Sequence, residues 1–414
     1  MKLLCISNGH GEDAIAVQIL QAFAQLPTQP DRFALPLVGE GNAYRRAGIP
    51  IIGEVKTLPS GGFVYMDAGQ LLRDMRGGLV GLTWQQWRSV RQWVQTHRAT
   101  SAEPLLVLAV GDIVPLLFAW ASGAPYGFVG TAKSEYYLRD SQGQFLGARR
   151  WEGWSGSVYL PWERWLMGRS RCRGLFPRDT LTAQILRRWL PDRTFDCGNP
   201  MMDGFTGDLP DCTWPEPGSP LRVLLLPGSR FPEALNNWQR MLTALQAWPD
   251  LAQRVVMLQA AIAPGIDRAP LQQALQQAGW RSSTGEQWHC GLAQLELASD
   301  RFWDWAKAAH FAIATAGTAT EQLVGLGKPA ITLSGNGPQF TPAFAEAQTR
   351  LLGPSVTWIQ EPTELPGAIE QLLRDPTPWQ AKIDNGRQRL GPPGAARRIA
   401  EQLLNLALNR AGDR

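Results

Sequence analysis

The stretch Ser7-Asn8-Gly9-His10-Gly11-Glu12-Asp13 follows a short apolar run, Leu3–Ile6, and leads into a helical pattern that runs to about Ala24. Glycines in such a turn let the backbone come close to a ligand. The helix start offers free N–H groups and the positive end of a dipole to an anion or a substrate oxygen. His10 is one of only four histidines. An imidazole can take a hydroxyl proton near neutral pH, so His10 is a candidate general base. Asp112 follows a second apolar run, Leu105–Val110, and can orient His10 or act as the base itself. Plainer roles compete with both. His10 and Glu12 also suit a turn and its cap, and Asp112 suits the N-cap of the segment that follows.

Three stretches in the second half suit a phosphorylated ligand. Leu226-Pro227-Gly228-Ser229-Arg230, with Glu233 three residues on, reads as a strand-to-helix turn. Its backbone N–H groups can hold a diphosphate, and Arg230 can neutralise it with directed hydrogen bonds. In Ala316-Gly317-Thr318-Ala319-Thr320-Glu321-Gln322, small residues at a helix start admit a phosphate, and Glu321 can accept from ribose hydroxyls. Asn336-Gly337-Pro338-Gln339-Phe340 follows a third apolar run, and Gln339 can hydrogen-bond a sugar. A capping turn with a surface Arg, a tight turn with a capping carboxylate, and a plain loop are the structural alternatives. Two phosphate-type turns in one half of the chain carry more weight than either alone.

Turns of this kind need strands that end at them and helices that begin at them. The first half supplies strand candidates at Leu3–Ser7, Phe33–Leu37, Ile49–Ile52, Leu105–Val110 and Tyr126–Val129. The second supplies Arg222–Leu226, Val255–Gln259, Phe311–Ala314 and Ala330–Leu333, with a helix over about Glu233–Trp248. Strands alternating with helices argue for α/β domains with parallel sheets covered on both faces. The segment Phe205–Pro220 holds Pro210, Pro215, Pro217 and Pro220 with Gly207 and Gly218, and has no periodicity. It reads as a linker. The expected organisation is a first domain over 1–204, the linker 205–220, a second domain over 221–390 and a helical tail over 391–414. Both domains are expected to be Rossmann-like and doubly wound, facing a cleft, with ligands at the carboxyl ends of the strands.

Size and composition agree with this organisation. The chain has 414 residues, 44% of them hydrophobic, and a net charge of +4. That suits two domains of about 200 residues each and argues against disorder. The basic residues are dispersed, and no nucleic-acid module signature is present. Five cysteines, Cys5, Cys172, Cys197, Cys212 and Cys290, form no CxxC pair or Cys/His cluster, so reduced thiols and no metal are expected. The N-terminal apolar run is too short for a signal peptide. Pro104–Gly130 carries one charge, Asp112, but Gly111 and Pro115 break it, so it reads as strand, loop and buried helix rather than a membrane span. Eighteen tryptophans are many. Trp84, Trp87 and Trp93, then Trp151, Trp154, Trp162 and Trp165, are interleaved with Arg88, Arg91, Arg149, Arg150, Arg164 and Arg169. That mixture suits a membrane interface with anionic headgroups, although core and surface packing would use the same residues.

Five motifs occur in order over roughly residues 105 to 350: Leu160-Pro161-Trp162-Glu163, Phe176-Pro177-Arg178-Asp179, Gly198-Asn199-Pro200-Met201-Met202-Asp203, Leu226-Pro227-Gly228-Ser229-Arg230 with Glu233, and Gly317-Thr318-Ala319-Thr320-Glu321. On these the sequence resembles the lipid-A-disaccharide synthases, and more closely the cyanobacterial proteins called lipid-A-disaccharide synthase-related. The resemblance implies a GT-B fold whose C-terminal helix packs back on the first domain. It also implies an inverting, metal-independent glycosyltransferase with no cofactor, moving a sugar from a UDP-sugar donor to a lipid acceptor. By motif match, Arg230 and Glu321 inherit donor-binding roles, in a donor set of Gly228, Ser229, Arg230, Glu233, Gly317, Thr318, Ala319, Thr320, Glu321 and Gln339. Asp112 matches the family's functional aspartate, and Asn8, Gly9, Gly11, Glu12 and Asn199 fall on the acceptor side. The N-terminal turn departs from the family. Asn8-Gly9-His10-Gly11 is closer to the Gly-His turn of the glycosyltransferases that make galactolipids and the peptidoglycan lipid intermediate, where the His is the suspected base. A UDP-N-acetylglucosamine 2-epimerase, which shares the fold, and a non-catalytic nucleotide-sugar-binding protein are the rival readings. The expected setting is cytoplasmic and peripheral to a membrane, without nucleic acid, and with a homodimer left open.

Overall fold

The computed structural model describes residues 1–56, 79–101, 103–140, 143–146, 153–216, 218–249, 251, 254–335, 337 and 340–408, except for the side chains of His10, Leu79 and Val80. The chain divides into two compact units. One comprises Met1–Leu138, Leu146–Gly204 and Pro392–Arg414, and the other comprises Arg139–Phe145 and Phe205–Gly391.

The first unit is built on a five-stranded parallel sheet: β1 (Lys2–Ser7), β2 (Asp31–Pro36), β3 (Leu105–Gly111), β4 (Tyr126–Gly130) and β5 (Cys172–Pro177), in the order β2-β1-β3-β4-β5. Side chains alternate between faces along a strand, and here both faces are covered. Leu3, Cys5, Leu106, Leu108 and Val110 pack with helices His10–Ala24 and Ala395–Leu408. Leu4, Ile6, Val107 and Ala109 pack on the other face with helices Leu79–Thr100 and Ile113–Ala121. Burial on both faces is why these strands read as unbroken apolar runs. The Gly198–Asp203 motif has a clear structural part to play. The Asp203 carboxylate accepts the backbone N–H groups of Gly394 (2.6 Å), Ala395 (3.1 Å) and Ala396 (2.5 Å), and so anchors the start of the C-terminal helix.

Among its described residues the second unit carries eight strands: β6 (Leu221–Leu226), β7 (Val256–Ile262), β8 (Arg281–Ser282), β9 (Gln287–Cys290), β10 (Ala293–Ser299), β11 (Phe311–Ala314), β12 (Ala330–Leu333) and β13 (Val356–Ile359). Their order is β13-β12-β11-β6-β7-β10-β9-β8. The sheet is parallel except for β9 and β8, which add an antiparallel hairpin at one edge. Val223, Leu225, Leu258, Ala260, Ile313 and Ile331 bury against helices Glu233–Gln246, Ala269–Gln277 and Leu365–Leu372. Each Val, Leu or Ile among them, fully buried, contributes roughly 1.5–3 kcal/mol. Both units are thus Rossmann-like.

Some expected elements differ. Ile49–Ile52 does not form a strand; Ile51 makes one isolated bridge to Ala34. The second strand starts and ends earlier than Phe33–Leu37, at Asp31 and Pro36. Pro104–Gly130 resolves into β3, a helix and β4, and among the described residues no helix is long and apolar enough to cross a membrane.

Candidate functional site

Strand order marks a candidate site in each unit. In the first sheet the chain leaves β1 toward β2 on one side, then returns to build β3, β4 and β5 on the other. The switch point lies between β1 and β3, where the loops leaving the two strands diverge and open a crevice. Those loops are the Asn8–Glu12 turn and the Gly111–Asp112 turn. In the second sheet β6 leads to β7 and β10 on one side, and β11, β12 and β13 lie on the other. That switch point lies between β6 and β11, and the loops leaving them are the Pro227–Arg230 and Thr315–Gly317 turns. In each unit the two turns singled out by their chemistry are therefore the two that flank the switch point.

In the first unit the turns touch. Gly9 has φ 127° and sits against the Val38 carbonyl, where a Cβ would come within 2.5 Å of the oxygen. A Cβ on Gly111 would lie 2.8 Å from Asn8 Oδ1, an atom that is itself buried without a hydrogen-bond partner. Asp112 caps helix Ile113–Ala121, accepting the Val114 N–H at 2.8 Å. Capping and a chemical role are compatible, because the bond engages only one carboxylate oxygen. Burial, and then the nearby charge of Asp112, raise the Glu12 carboxyl above its ordinary value. Its own backbone N–H, Thr131 and Arg178 pull it back. Arg178 is buried and donates to the Thr131 carbonyl at 2.9 Å. Thr131 and Arg178, from the ends of β4 and β5, thus join the site without having been picked out as site residues. Asn199 is buried elsewhere in the unit, its Oδ1 accepting the Met201 N–H at 3.1 Å. The His10 side chain lies outside the described residues.

A second feature that sequence reasoning missed lies under the turn. Ser7 Oγ donates to Asp13 Oδ1 at 2.6 Å, and the Ser7 and Tyr44 hydroxyls are 2.5 Å apart. Asp13 is only 3% exposed. Burial pushes its carboxyl up to about 7; the Ser7 bond opposes the shift and Glu12 adds to it. An unfolded Asp titrates near 3.9. Between the two values the folded chain holds a proton that the unfolded chain has released, so stability is lost as pH rises through that window. Asp13→Asn should keep the acceptor for Ser7 and remove the penalty. We expect it to unfold later than wild type in urea at about pH 8, by roughly 2–4 kcal/mol, and to differ little near pH 4. Parallel pH dependences in the two proteins would contradict this.

In the second unit Gly228 has φ 108° and faces the Thr315 carbonyl, 3.5 Å from where a Cβ would stand. There is room for a Cβ, but the positive φ would strain the backbone of any residue with a side chain. Asn237, buried in the following helix, donates to the Pro227 carbonyl at 3.1 Å and fixes the turn. Ser229 is exposed and Arg230 half-buried. Burial lowers the Arg230 pKa and Glu233 partly restores it, yet an Arg remains a cation at neutral pH. Glu233 is buried and accepts the Phe340 N–H at 2.9 Å, tying this turn to the loop after β12. In the other turn Thr315 donates to the Leu226 carbonyl, from Oγ1 at 3.2 Å and from its N–H at 2.9 Å, joining β11 to β6. Thr320 Oγ1 closes back on the Ala316 carbonyl at 2.6 Å, and Gln348 donates to that carbonyl at 3.1 Å. Thr318 stays exposed and Ala319 half-exposed at the start of helix Thr318–Gly325, while Glu321 is buried in its first turn. Gln339 lies outside the described residues. Among the described residues no group of His, Cys, Asp and Glu is placed to hold a metal ion.

The tryptophans separate into different environments. Trp93 is a core residue, packed edge-on against Phe33 at 5.4 Å, and so leaves the interfacial set. Trp84 is exposed and stacks on Trp87 at 4.8 Å. Trp162 and Trp165 are 49% and 48% exposed on helix Pro161–Met167. Trp165 meets Trp120 at 5.6 Å and the Arg169 guanidinium at 4.1 Å, and Arg164 lies 4.1 Å over the exposed Trp189. Trp151, Arg149 and Arg150 lie outside the described residues.

No family model and no curated protein matches this sequence. Solved structures do. MurG of Acinetobacter baumannii is similar over 98% of this chain and 99% of its own, at 13% identity and a TM-score of 0.57. The UDP-GlcNAc 2-epimerase of Neisseria meningitidis, bound to UDP-GlcNAc, is similar over 98% and 100%, at 14% identity and a TM-score of 0.53. The glycosyltransferase of kitacinnamycin is similar over 98% and 99%, at 14% identity and a TM-score of 0.54. At these identities the likeness speaks for the fold: the chain has the two-domain GT-B fold.

Proposed function

We propose that this protein is a UDP-sugar-using enzyme, an inverting hexosyltransferase that moves the sugar onto a hydroxyl of a lipid or membrane-associated acceptor. The observation that carries the reading is the coincidence of chemistry and topology. The two phosphate-type turns flank the switch point of one sheet, and the turns bearing His10 and Asp112 flank that of the other. On this reading Gly228, Ser229 and the helix start at Gly317 and Thr318 hold the diphosphate, Arg230 neutralises it, and Glu321 receives the ribose hydroxyls. Glu233 keeps the Arg230 turn in register with the loop that carries Gln339. His10 or Asp112 takes the proton from the acceptor hydroxyl as its oxygen bonds the anomeric carbon. The bond from that carbon to the diphosphate breaks, and UDP leaves with the electron pair. Arg230 and the helix start supply the positive charge that the leaving group needs, a part that a metal plays in other enzymes. A uridine nucleotide is favoured because structural neighbours include one bound to UDP-GlcNAc.

The same neighbour favours a second reading, a UDP-GlcNAc 2-epimerase. The two differ in what they need. Incubation with a panel of UDP-sugars, with and without a membrane lipid extract, separates them. UDP release that requires the extract, together with a new glycolipid, supports transfer. Conversion of UDP-GlcNAc to its 2-epimer without any lipid overturns transfer in favour of epimerisation.

A lipid acceptor calls for attachment at a membrane surface, and we assign it to the patch of Trp162, Trp165 and Trp189 with Arg164 and Arg169. Indoles suit the headgroup level, and the arginines suit anionic lipid. In flotation with vesicles containing anionic lipid at low salt, wild type should rise with the vesicles. Changing Trp162 and Trp165 together to Ala should leave most of the protein at the bottom. Equal flotation of the two proteins, or none by wild type, would remove the patch from the account.

A further inference from the structure

The donor turns occupy the carboxyl edge of the second sheet. Its amino edge carries a separate group of charges. Lys328, His310, Arg222 and Arg254 stand at the entry to β12, β11, β6 and β7, which are consecutive neighbours in the sheet. One lysine, one histidine and two arginines therefore form a row across four strands. With β6 six residues long, the row is about 20 Å from the donor turns.

A cavity of about 350 Å³ opens on this row, lined by Trp214, Glu216, Ser219, Arg222 and His310 among others. That is room for several water molecules or a small anion. The Arg222 N–H donates to His310 Nδ1 at 3.0 Å, so the ring proton is on Nε2. Burial, then Lys328, Arg222 and Arg254, push the His310 imidazole down to about 4. At neutral pH the ring is thus uncharged and keeps one N–H to donate. Arg254 donates through Nη2 to the Ser219 carbonyl at 3.2 Å, while its Nε is buried with no hydrogen-bond partner. Lys328 is buried, with the Cys212 thiol as partner, Arg387 as a further cation close by and Asp211 as the opposing carboxylate. Among the described residues, the exposed carboxylates of Asp211, beside Lys328, and of Glu216, in the cavity lining, stand with this group of cations. Like charges held close together repel, most strongly around the buried Lys328, and a bound anion would offset that cost.

We propose that this cavity is a second anion site, remote from the donor turns, that binds a phosphate group. Arg222 and the Nε2–H of His310 donate to phosphate oxygens, and the Trp214 indole forms an apolar wall beside them. The shared chemistry is a phosphate dianion, either free or as a phosphate monoester carrying an apolar group that packs on Trp214.

The test uses the full chain labelled in its histidines, of which there are four, with the His310 signal assigned through His310→Gln. Inorganic phosphate and phenyl phosphate are titrated in turn near neutral pH at constant ionic strength. The expected result is a saturable displacement of the His310 signal at millimolar phosphate, weakened about tenfold or more in Arg222→Gln. Arg222 is exposed, so its replacement should not disturb the fold. Tighter binding of phenyl phosphate supports the site with a monoester as ligand, and equal binding supports it with free phosphate. A His310 signal that does not move, or that moves as far with sodium chloride, would overturn the proposal. No step involves UDP, so the result stands whether or not the donor site lies where we place it.

Discussion

His10→Ala and Asp112→Asn are each expected to keep UDP affinity and to lose turnover, by about 10²- to 10⁴-fold for the residue that serves as base. That loss corresponds to about 3–5 kcal/mol of barrier. A free hydroxyl is a poor nucleophile, and its proton must go somewhere as the bond to the anomeric carbon forms. His10 comes first because an imidazole titrates near working pH. Asp112→Asn is a clean test for a structural reason. Asp112 caps a helix through the Val114 N–H, and Asn caps about as well as Asp. The variant should therefore fold like wild type, and a lost rate would report chemistry rather than stability. Transfer by His10→Ala at the wild-type rate would remove His10 from the mechanism. If Asp112→Asn also retained its rate, Glu12 would be the remaining candidate, since burial raises its carboxyl.

Arg230→Ala and Glu321→Ala should act on the donor instead. A guanidinium pairs with a diphosphate through two directed, charge-assisted hydrogen bonds, and each such bond is worth about 1.5–3 kcal/mol. Loss of Arg230 should therefore weaken UDP binding by one to two orders of magnitude, roughly 1.4 kcal/mol per decade. Arg230 is half-buried on a turn fixed by Asn237 and Glu233, so its truncation should leave the turn standing. Arg230→Lys should recover only part of the affinity, because an ammonium lacks the planar fork.

Much of this was legible in the sequence, because short apolar runs ending in glycine turns leave little choice. Phe311–Ala314 and Ala330–Leu333 are strands at the boundaries their apolar runs set, each being buried on both faces. What was missed has different signals. In β10, polar Gln294 and Glu296 alternate with buried Leu295 and Leu297, the pattern of a strand with one wet face rather than an apolar run. In β5, Arg173 interrupts the run and Pro177 ends it, so the Phe176–Asp179 motif hid a strand. Ile49–Ile52 has the residues of a strand but only a bridge's worth of pairing. The turns at the two switch points were readable one by one, yet that they flank switch points depends on strand order, which no local pattern encodes. The Ser7–Asp13–Tyr44 network joins residues up to 37 positions apart and was not legible at all.

On the proposed reading the second unit binds a uridine diphosphate at the turns after β6 and β11. Thermal unfolding of wild type, Arg230→Ala and Glu321→Ala, each with and without UDP, tests it most directly. A ligand that binds only the folded chain stabilises it by about 2.7 kcal/mol at a hundredfold excess over Kd. For domains of this size that is a rise in Tm on the order of 5 °C. Wild type should show such a rise, and both variants should lose half of it or more. An unchanged Tm in wild type, or the full rise in both variants, would contradict it.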